Sequence, residues 1–329
     1  MTQRTMNPAS AGFNHIVAFD IAKATLEVCV LPGREHLSIA NTPGQVRRLL
    51  KREMKRNRSG DLGPMLVVCE ATGGYERHVL EVAAERAIAC HRAHGSAVRG
   101  YAQYRRKWAK TDAIDGDLLA DYGRQTKDLL LYHPPRSEQE TLRCLQSRRK
   151  DLQDMLHAEN RRLEHADAER SSVKRVIKTL DKELQRIEGE IAHLIETDDI
   201  FRRNAELMQT VKGIGPVTAA VMLAYLPELG QLKRATVTAL AGLAPFNRDT
   251  GKMSAPRHIH GGRRPIRNCL YMAAKSAIRH SPHFKEYANR LKAKGKSYKV
   301  VLTAVMRKLV ITLNAIVRDQ EPWKHAKTA

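Results

Sequence analysis

Four carboxylates in this chain stand where a metal-dependent phosphodiester enzyme would need them. Asp20 ends the apolar run H-I-V-A-F-D, Glu70 ends M-L-V-V-C-E, and Asp112 and Asp115 lie in K-T-D-A-I-D-G-D-L-L-A-D. An ionised carboxylate at the end of a buried strand is costly unless a cation or hydrogen bonds compensate it. Phosphoryl transfer with two metal ions needs acids converging on cations ~4 Å apart, which clamp the attacking and leaving oxygens. Two strand ends followed by an i, i+3 acidic pair on one helix face supply such a set. Each residue taken singly also fits a plainer role. Asp112 and Asp115 would stabilise a helix N-terminus, and Asp20 and Glu70 would serve strand-end turns. Asp117 and Asp121 fall on other faces and read as ordinary solvated charge. Neighbouring Lys110, with Arg105 and Arg106, would hold phosphate or merely offset the acids.

The elements that must position these acids follow from periodicity. Residues 1–13 read as a loose tail. From 14 to 132 strand and helix signals alternate, first as antiparallel strands and then as β-α-β, a mixed α/β pattern. The long run from His15 to Leu31 breaks near Ile21 to Lys23, which predicts a hairpin, and H-L-S-I-A-N-T adds a third strand. Thr42 before Pro43 reads as a helix start. Beyond it come the buried strand M-L-V-V-C-E, a helix from Y-E-R-H-V-L-E-V, and the short strand A-I-A-C-H-R.

From 137 to 200 glycine nearly disappears, and apolar residues recur at spacings of three and four: Val173, Ile177, Leu180, Leu184, Ile187, Ile191 and Leu194. A weaker set runs from Leu142 to Leu163. This predicts a coiled coil, either two antiparallel helices reversing near Ala166 to Ser172 or one long helix, that joins subunits or spaces domains. From 205 to 329 the chain reads as mainly helical, ending in an apolar helix that packs in that domain's core.

Lys and Arg outnumber Asp and Glu by 57 to 35, for a net charge of +22. Such an excess points to a polyanionic partner, most often nucleic acid. The cysteines, Cys29, Cys69, Cys90, Cys144 and Cys269, form no C-x-x-C pattern and read as buried thiols of a reducing cytoplasm, not as zinc ligands or disulfides. No apolar run is read as reaching the ~18 residues of a membrane helix, so no membrane partner is expected.

Two further segments bear on nucleic acid. V-K-G-I-G-P-V-T-A-A-V reads as a helix-hairpin-helix turn, in which Lys212, Gly213 and Gly215 let backbone N–H groups grip a phosphate without reading sequence. A turn that serves packing only is the alternative. Between Leu243 and Arg267, Arg248, Lys252, Arg257, Arg263, Arg264 and Arg267 stand among glycines and two histidines, an arrangement suited to clamping phosphates. Thr250 and Ser254 place hydroxyls in the same loop; a lone hydroxyl usually serves only a turn, and the setting among arginines is what raises it to a candidate nucleophile.

Taken jointly, V-A-F-D-I-A-K, C-E-A-T-G-G-Y, K-T-D-A-I-D, G-I-G-P-V-T-A, and A-G-L-A-P-F-N-R-D followed by G-G-R-R-P-I-R-N-C-L resemble the insertion sequence 110 family of transposases, also called DEDD transposases or bridge recombinases. The resemblance implies an RNase H-like (RuvC-like) N-terminal domain, a helical coiled coil for assembly, and a mainly α-helical C-terminal transposase domain. It implies that Asp20, Glu70, Asp112 and Asp115 bind magnesium. It further implies a noncoding guide (bridge) RNA that selects donor and target double-stranded DNA. A serine of the C-terminal domain would become covalently linked to DNA, within a dimer that assembles to a tetramer in the bacterial cytoplasm. Here the family's Ser-Gly reads Thr250-Gly251, so the nucleophile is expected at Thr250. The alternatives are that the threonine impairs the copy, as natural or engineered change, or that Ser254 takes the role. Two other functions fit the residues less well: a Holliday-junction-resolvase-like nuclease that uses water, and a basic scaffold whose acids are structural.

Overall fold

The computed structural model describes residues 12–60, 62–106, 112–127, 129–246 and 258–324, with backbone only at 112–114 and 246. The chain divides into two compact units, Met1–Pro134 and Pro135–Ala329.

In the first unit β1 (His15–Ile21), β2 (Thr25–Leu31) and β3 (Glu35–Ala40) form an antiparallel meander. Helix α1 (Pro43–Gly60) then crosses to β4 (Met65–Glu70), parallel to β1, and α2 (Arg77–Glu85) crosses to β5 (Ala89–Ala93), parallel to β4. The sheet order is β3-β2-β1-β4-β5. Thr42 caps α1 as its sequence predicts, its Oγ1 accepting from the Gln45 N–H at 3.4 Å.

Alternation along the strands sorts the side chains between two cores. Val17, Phe19, Val28, Val67 and Cys69 face one way and pack with Val46, Leu50, Val79 and Ala83 of α1 and α2. Ile16, Ala18, Cys29, Leu66 and Val68 face the other way, under α3 (Gly95–Tyr104) and α4 (Asp112–Gln125), against Val98, Leu118, Leu119 and Tyr122. Glycine lets α4 lie close to the sheet. A β-carbon at Gly123 would stand 2.5 Å from Val68 Cγ2, and one at Gly116 would touch Cys29.

The second unit opens with a helical hairpin, α5 (Ser137–Glu164) and α6 (Arg170–Thr197), which reverses over residues 165–169. Of the two arrangements the periodicity allows, the antiparallel pair is found. Arg149 reaches across it to Glu188 at 2.7 Å. Leu142, Leu152, Ile187 and Ile191 join the core of the following helices. Those are α7 (Asp199–Gln209), α8 (Pro216–Tyr225) and α9 (Arg234–Leu240), then the two-stranded β6 (Pro245–Phe246) and β7 (His258–Ile259), and α10 (Arg264–His280), α11 (Pro282–Ala293) and α12 (Tyr298–Asp319). By length and composition α12 is apolar enough to cross a membrane, contrary to the sequence reading. Its Val301, Leu302, Val305, Leu309 and Leu313 are buried in this core, where an apolar terminal helix was expected.

Candidate active site

The register of β1 and β4 sets the acidic pair. Ala18 pairs with Val68 and Phe19 with Cys69, so Asp20 and Glu70 occupy the next rung of adjacent parallel strands. Both follow the alternation onto the face covered by α4 and are half-buried there. Asp115 lies on the same face of α4 as Leu118 and Leu119, one turn nearer the helix start, and is half-buried as well. The three carboxylates interact. Burial pushes the Glu70 carboxyl above the usual carboxylate range, and the charges of Asp20 and Asp115 push it further, against the pull of Arg99 and His94. Asp112 is the first residue of α4, one turn before Asp115.

The surroundings of Glu70 include groups that the sequence reading passed over. Helix α3 begins beside it: a β-carbon at Gly95 would stand 2.5 Å from Glu70 Oε1. His94 caps that helix, its Nδ1 accepting from the Ser96 N–H at 3.2 Å. Arg99, one turn on, supplies positive charge to the carboxylate. The A-T-G-G-Y-E loop after Glu70 is fixed by buried Glu76, which accepts from the N–H groups of Thr72 (3.2 Å) and Gly74 (2.8 Å) and from Arg92. Burial opposes ionisation of Glu76, but these donors outweigh it and hold its carboxyl below the usual range. The signal for His94 and Arg99 was the stretch H-G-S-A-V-R directly after β5.

Asp117 and Asp121 are not the solvated charges that spacing suggested. Asp121 is buried and accepts from Arg34 Nη2 through both oxygens, at 2.8 and 3.0 Å. Asp117 is half-buried, 3.0 Å from Arg34 Nη1 and 3.3 Å from the Cys29 thiol that donates to it. The cause is tertiary: the β2–β3 turn brings Arg34 over α4. Burial, then Asp117, pushes the Cys29 thiol up to about 12.

In the second unit Gly213 has φ +105 and lies against α10, where a β-carbon would stand 2.6 Å from the Ala277 nitrogen. Gly215 caps α8 with open space around it, and Lys212 is exposed beside it. Arg263 is engaged internally, donating to both Glu228 oxygens at 2.7 Å and to the Tyr225 carbonyl at 2.8 Å. Arg267 donates to the Gly261 carbonyl at 2.8 Å, and Arg264 is exposed at the start of α10. Lys110, Arg248, Thr250, Lys252, Ser254 and Arg257 lie outside the described residues. The last five fall between β6 and β7 in the chain. The turns at Gly242 and Gly262 touch backbone to backbone, with a Gly262 β-carbon position 2.1 Å from the Gly242 nitrogen.

An all-carboxylate donor set suits a hard divalent cation, and the mutual repulsion at Glu70 is what such a cation would relieve. Comparison with known proteins bears on which chemistry this serves. Residues 17–166 match the DEDD transposase family of IS110 type, and residues 205–289 match the transposase IS116/IS110/IS902 family. The chain is 25% identical over 316 residues to the pilin gene-inverting protein of Moraxella lacunata, covering 93% of this chain and 97% of that one. It is 30% identical over 162 residues to the insertion element IS900 42 kDa protein of Mycobacterium paratuberculosis, covering 46% and 40%. It is 29% identical over 143 residues to the insertion element IS116 44.8 kDa protein of Streptomyces clavuligerus, covering 43% and 35%. With an acidic rung on a mixed sheet and both halves of the chain matched, the protein belongs to the IS110 family of transposases and is a DNA transposase or recombinase.

Proposed function

We propose that this transposase cuts and rejoins double-stranded DNA through a covalent protein–DNA intermediate, at a site where Asp20, Glu70, Asp112 and Asp115 hold magnesium. The observation that carries the reading is the shared rung of Asp20 and Glu70 on the face that also bears Asp115. Bound magnesium would supply charge neutralisation at the scissile phosphate. The protein's own groups do the rest. The Thr250 hydroxyl attacks phosphorus, its proton leaves to solvent or a neighbouring base, and a phosphothreonine–DNA ester forms as the 3′-oxygen departs and takes up a proton. A second DNA 3′-hydroxyl reverses the step and frees Thr250. The threonine methyl narrows the rotamers available to that hydroxyl, so serine would serve at least as well.

Net charge of +22 supports a partnership with nucleic acid, and the family resemblance extends it to a noncoding guide RNA beside donor and target DNA. Exposed Lys212 and Arg264, with Lys110, Arg248, Lys252 and Arg257, are the contacts we assign to phosphates. Within the second unit Arg263 and Arg267 brace the start of α10, where Arg264 lies. The open N-terminus of α8 at Gly215 would receive a phosphate as a helix-hairpin-helix does. The α5–α6 hairpin would pair with its copy as a coiled coil, assembling dimers into a tetramer in the bacterial cytoplasm. The relatives named for gene inversion and insertion elements fit a recombinase acting on mobile or invertible DNA.

The test is a denaturing gel of DNA incubated with protein, magnesium and cognate RNA. A protein–DNA adduct that disappears in Thr250→Ala and persists in Thr250→Ser is the expected result. Cleavage without adduct would make water the nucleophile and overturn the covalent route. Loss of all cleavage in Asp20→Asn tests the metal set separately.

A further inference from the structure

On the hairpin side of α4, three side chains bring three different donor atoms together. Cys29 Sγ from β2, His36 Nε2 from β3 and a carboxylate oxygen of Asp117 from α4 all lie within 4.8 Å of one another. Cys29 Sγ is 3.3 Å from Asp117 Oδ1, and His36 Nε2 is 3.3 Å from the same oxygen. The ladder fixes two of the three, because Cys29 and His36 are direct partners across β2 and β3. Gly116 brings the backbone of α4 against Cys29, with a β-carbon position 3.5 Å from Cys29 Cβ, and so sets the third.

The two separations to Asp117 are those expected between ligands of one cation. A tetrahedral cation with bonds of about 2.0 to 2.3 Å has neighbouring ligand atoms roughly 3.3 to 3.7 Å apart. Sulfur and imidazole nitrogen select a borderline-soft ion over magnesium or calcium, which take oxygen. Arg34 donates to the same Asp117 oxygen. Its Nη2 stays with both Asp121 oxygens, and only the Nη1 bond to Asp117, at 3.0 Å, has to yield.

We propose that Cys29, His36 and Asp117 bind a borderline-soft divalent cation of the zinc class, with solvent water as the fourth ligand. The site is structural. It ties the β2–β3 hairpin to the helix that carries Asp115 two residues earlier, and its donors differ in kind from the oxygen-only acidic rung. The sequence offered no zinc pattern because the ligands are 7 and 88 residues from Cys29 along the chain. The proposal stands whether or not the acidic rung holds magnesium.

Cobalt(II) titration of the full-length, chelator-treated protein without a histidine tag tests it. The expected result is a near-ultraviolet thiolate-to-cobalt band that saturates at one equivalent, is displaced by zinc and is unmoved by magnesium. Cys29→Ser should abolish it, and Asp20→Asn should leave it intact. His36 is surface-accessible, so His36→Gln keeps the fold, as circular dichroism would verify, and should weaken cobalt binding roughly tenfold or more. Absence of the band, its persistence in Cys29→Ser, or affinity in His36→Gln within tenfold of the parent overturns the site. Asp117 would then be only an acceptor for Arg34, His36 and the Cys29 thiol.

Discussion

Gly95 stands where any side chain would enter the space of the Glu70 carboxylate, its β-carbon position 2.5 Å from Glu70 Oε1. The clash falls on the mobile end of a side chain and not on backbone, so the fold can absorb it while the carboxylate cannot stay in place. Gly95→Ala should therefore lower strand cleavage by about tenfold or more, on the sensitivity of positioned groups to shifts of an ångström. Its melting temperature should stay near that of the parent. Calorimetry beside a cleavage assay checks both halves, and full activity in the variant would remove Glu70 from the reaction.

The raised Glu70 pKa gives divalent-cation binding a definite pH dependence. A cation must displace the proton that burial, Asp20 and Asp115 help Glu70 retain. Magnesium or manganese affinity should fall by about tenfold per pH unit below that raised value, and the slope should flatten in Glu70→Gln. With a chelator present, the folded state binds more protons at this residue than the unfolded state does. Stability should then decline as pH rises from the ordinary carboxylate value through the raised one. Isothermal titration and urea melts across mildly acidic pH measure the two effects.

Two glycines of the same turn carry opposite expectations. Gly213 combines φ +105 with a backbone contact to Ala277, so Gly213→Ala forces both a strained conformation and a shift of α10. That should cost about 2 to 4 kcal/mol. Gly215 has φ −102 and open space around it, so Gly215→Ala should cost under about 1 kcal/mol. Denaturant titration separates them, and a small effect at Gly213 would refute the close approach to α10.

Buried Glu53 joins α1 to the first strand, accepting from His15 at 3.2 Å and from Arg52 at 2.8 Å. Burial opposes its ionisation, but those partners prevail and hold the carboxyl below the usual range. Its contribution is present above the unfolded carboxylate value and is lost as pH falls through the depressed one. Glu53→Gln should lose about 1.5 to 3 kcal/mol at neutral pH. Melting curves of parent and variant should converge in acid, and a difference that persists there would assign the loss to packing.

Much of the first unit was legible because its signals are local. Apolar runs that stop at an acid gave β1 and β4 with Asp20 and Glu70, and the T-P pair gave the start of α1. Helix α3 was not legible. G-S-A-V-R-G-Y-A-Q-Y contains two glycines and few apolar residues, so its helicity comes from seating Val98 and Tyr101 against the sheet and Tyr122. Asp121 was misread because Arg34, its partner, is 87 residues away and reaches it only through the hairpin turn. Gly213 was read for the tight turn it permits, which its φ of +105 fits, but its contact with Ala277, 64 residues on, left no local signal.

The two limbs of the α5–α6 hairpin match in length at 28 residues each, about 42 Å outward and back. Their root is stitched to α8, where Gln139 donates to the carbonyls of Leu223 and Ala224. Heptads deleted or inserted equally in both limbs would keep every root attachment while moving the tip. The length of this hairpin is thus separately adjustable, and can change without rebuilding the helices that anchor its root.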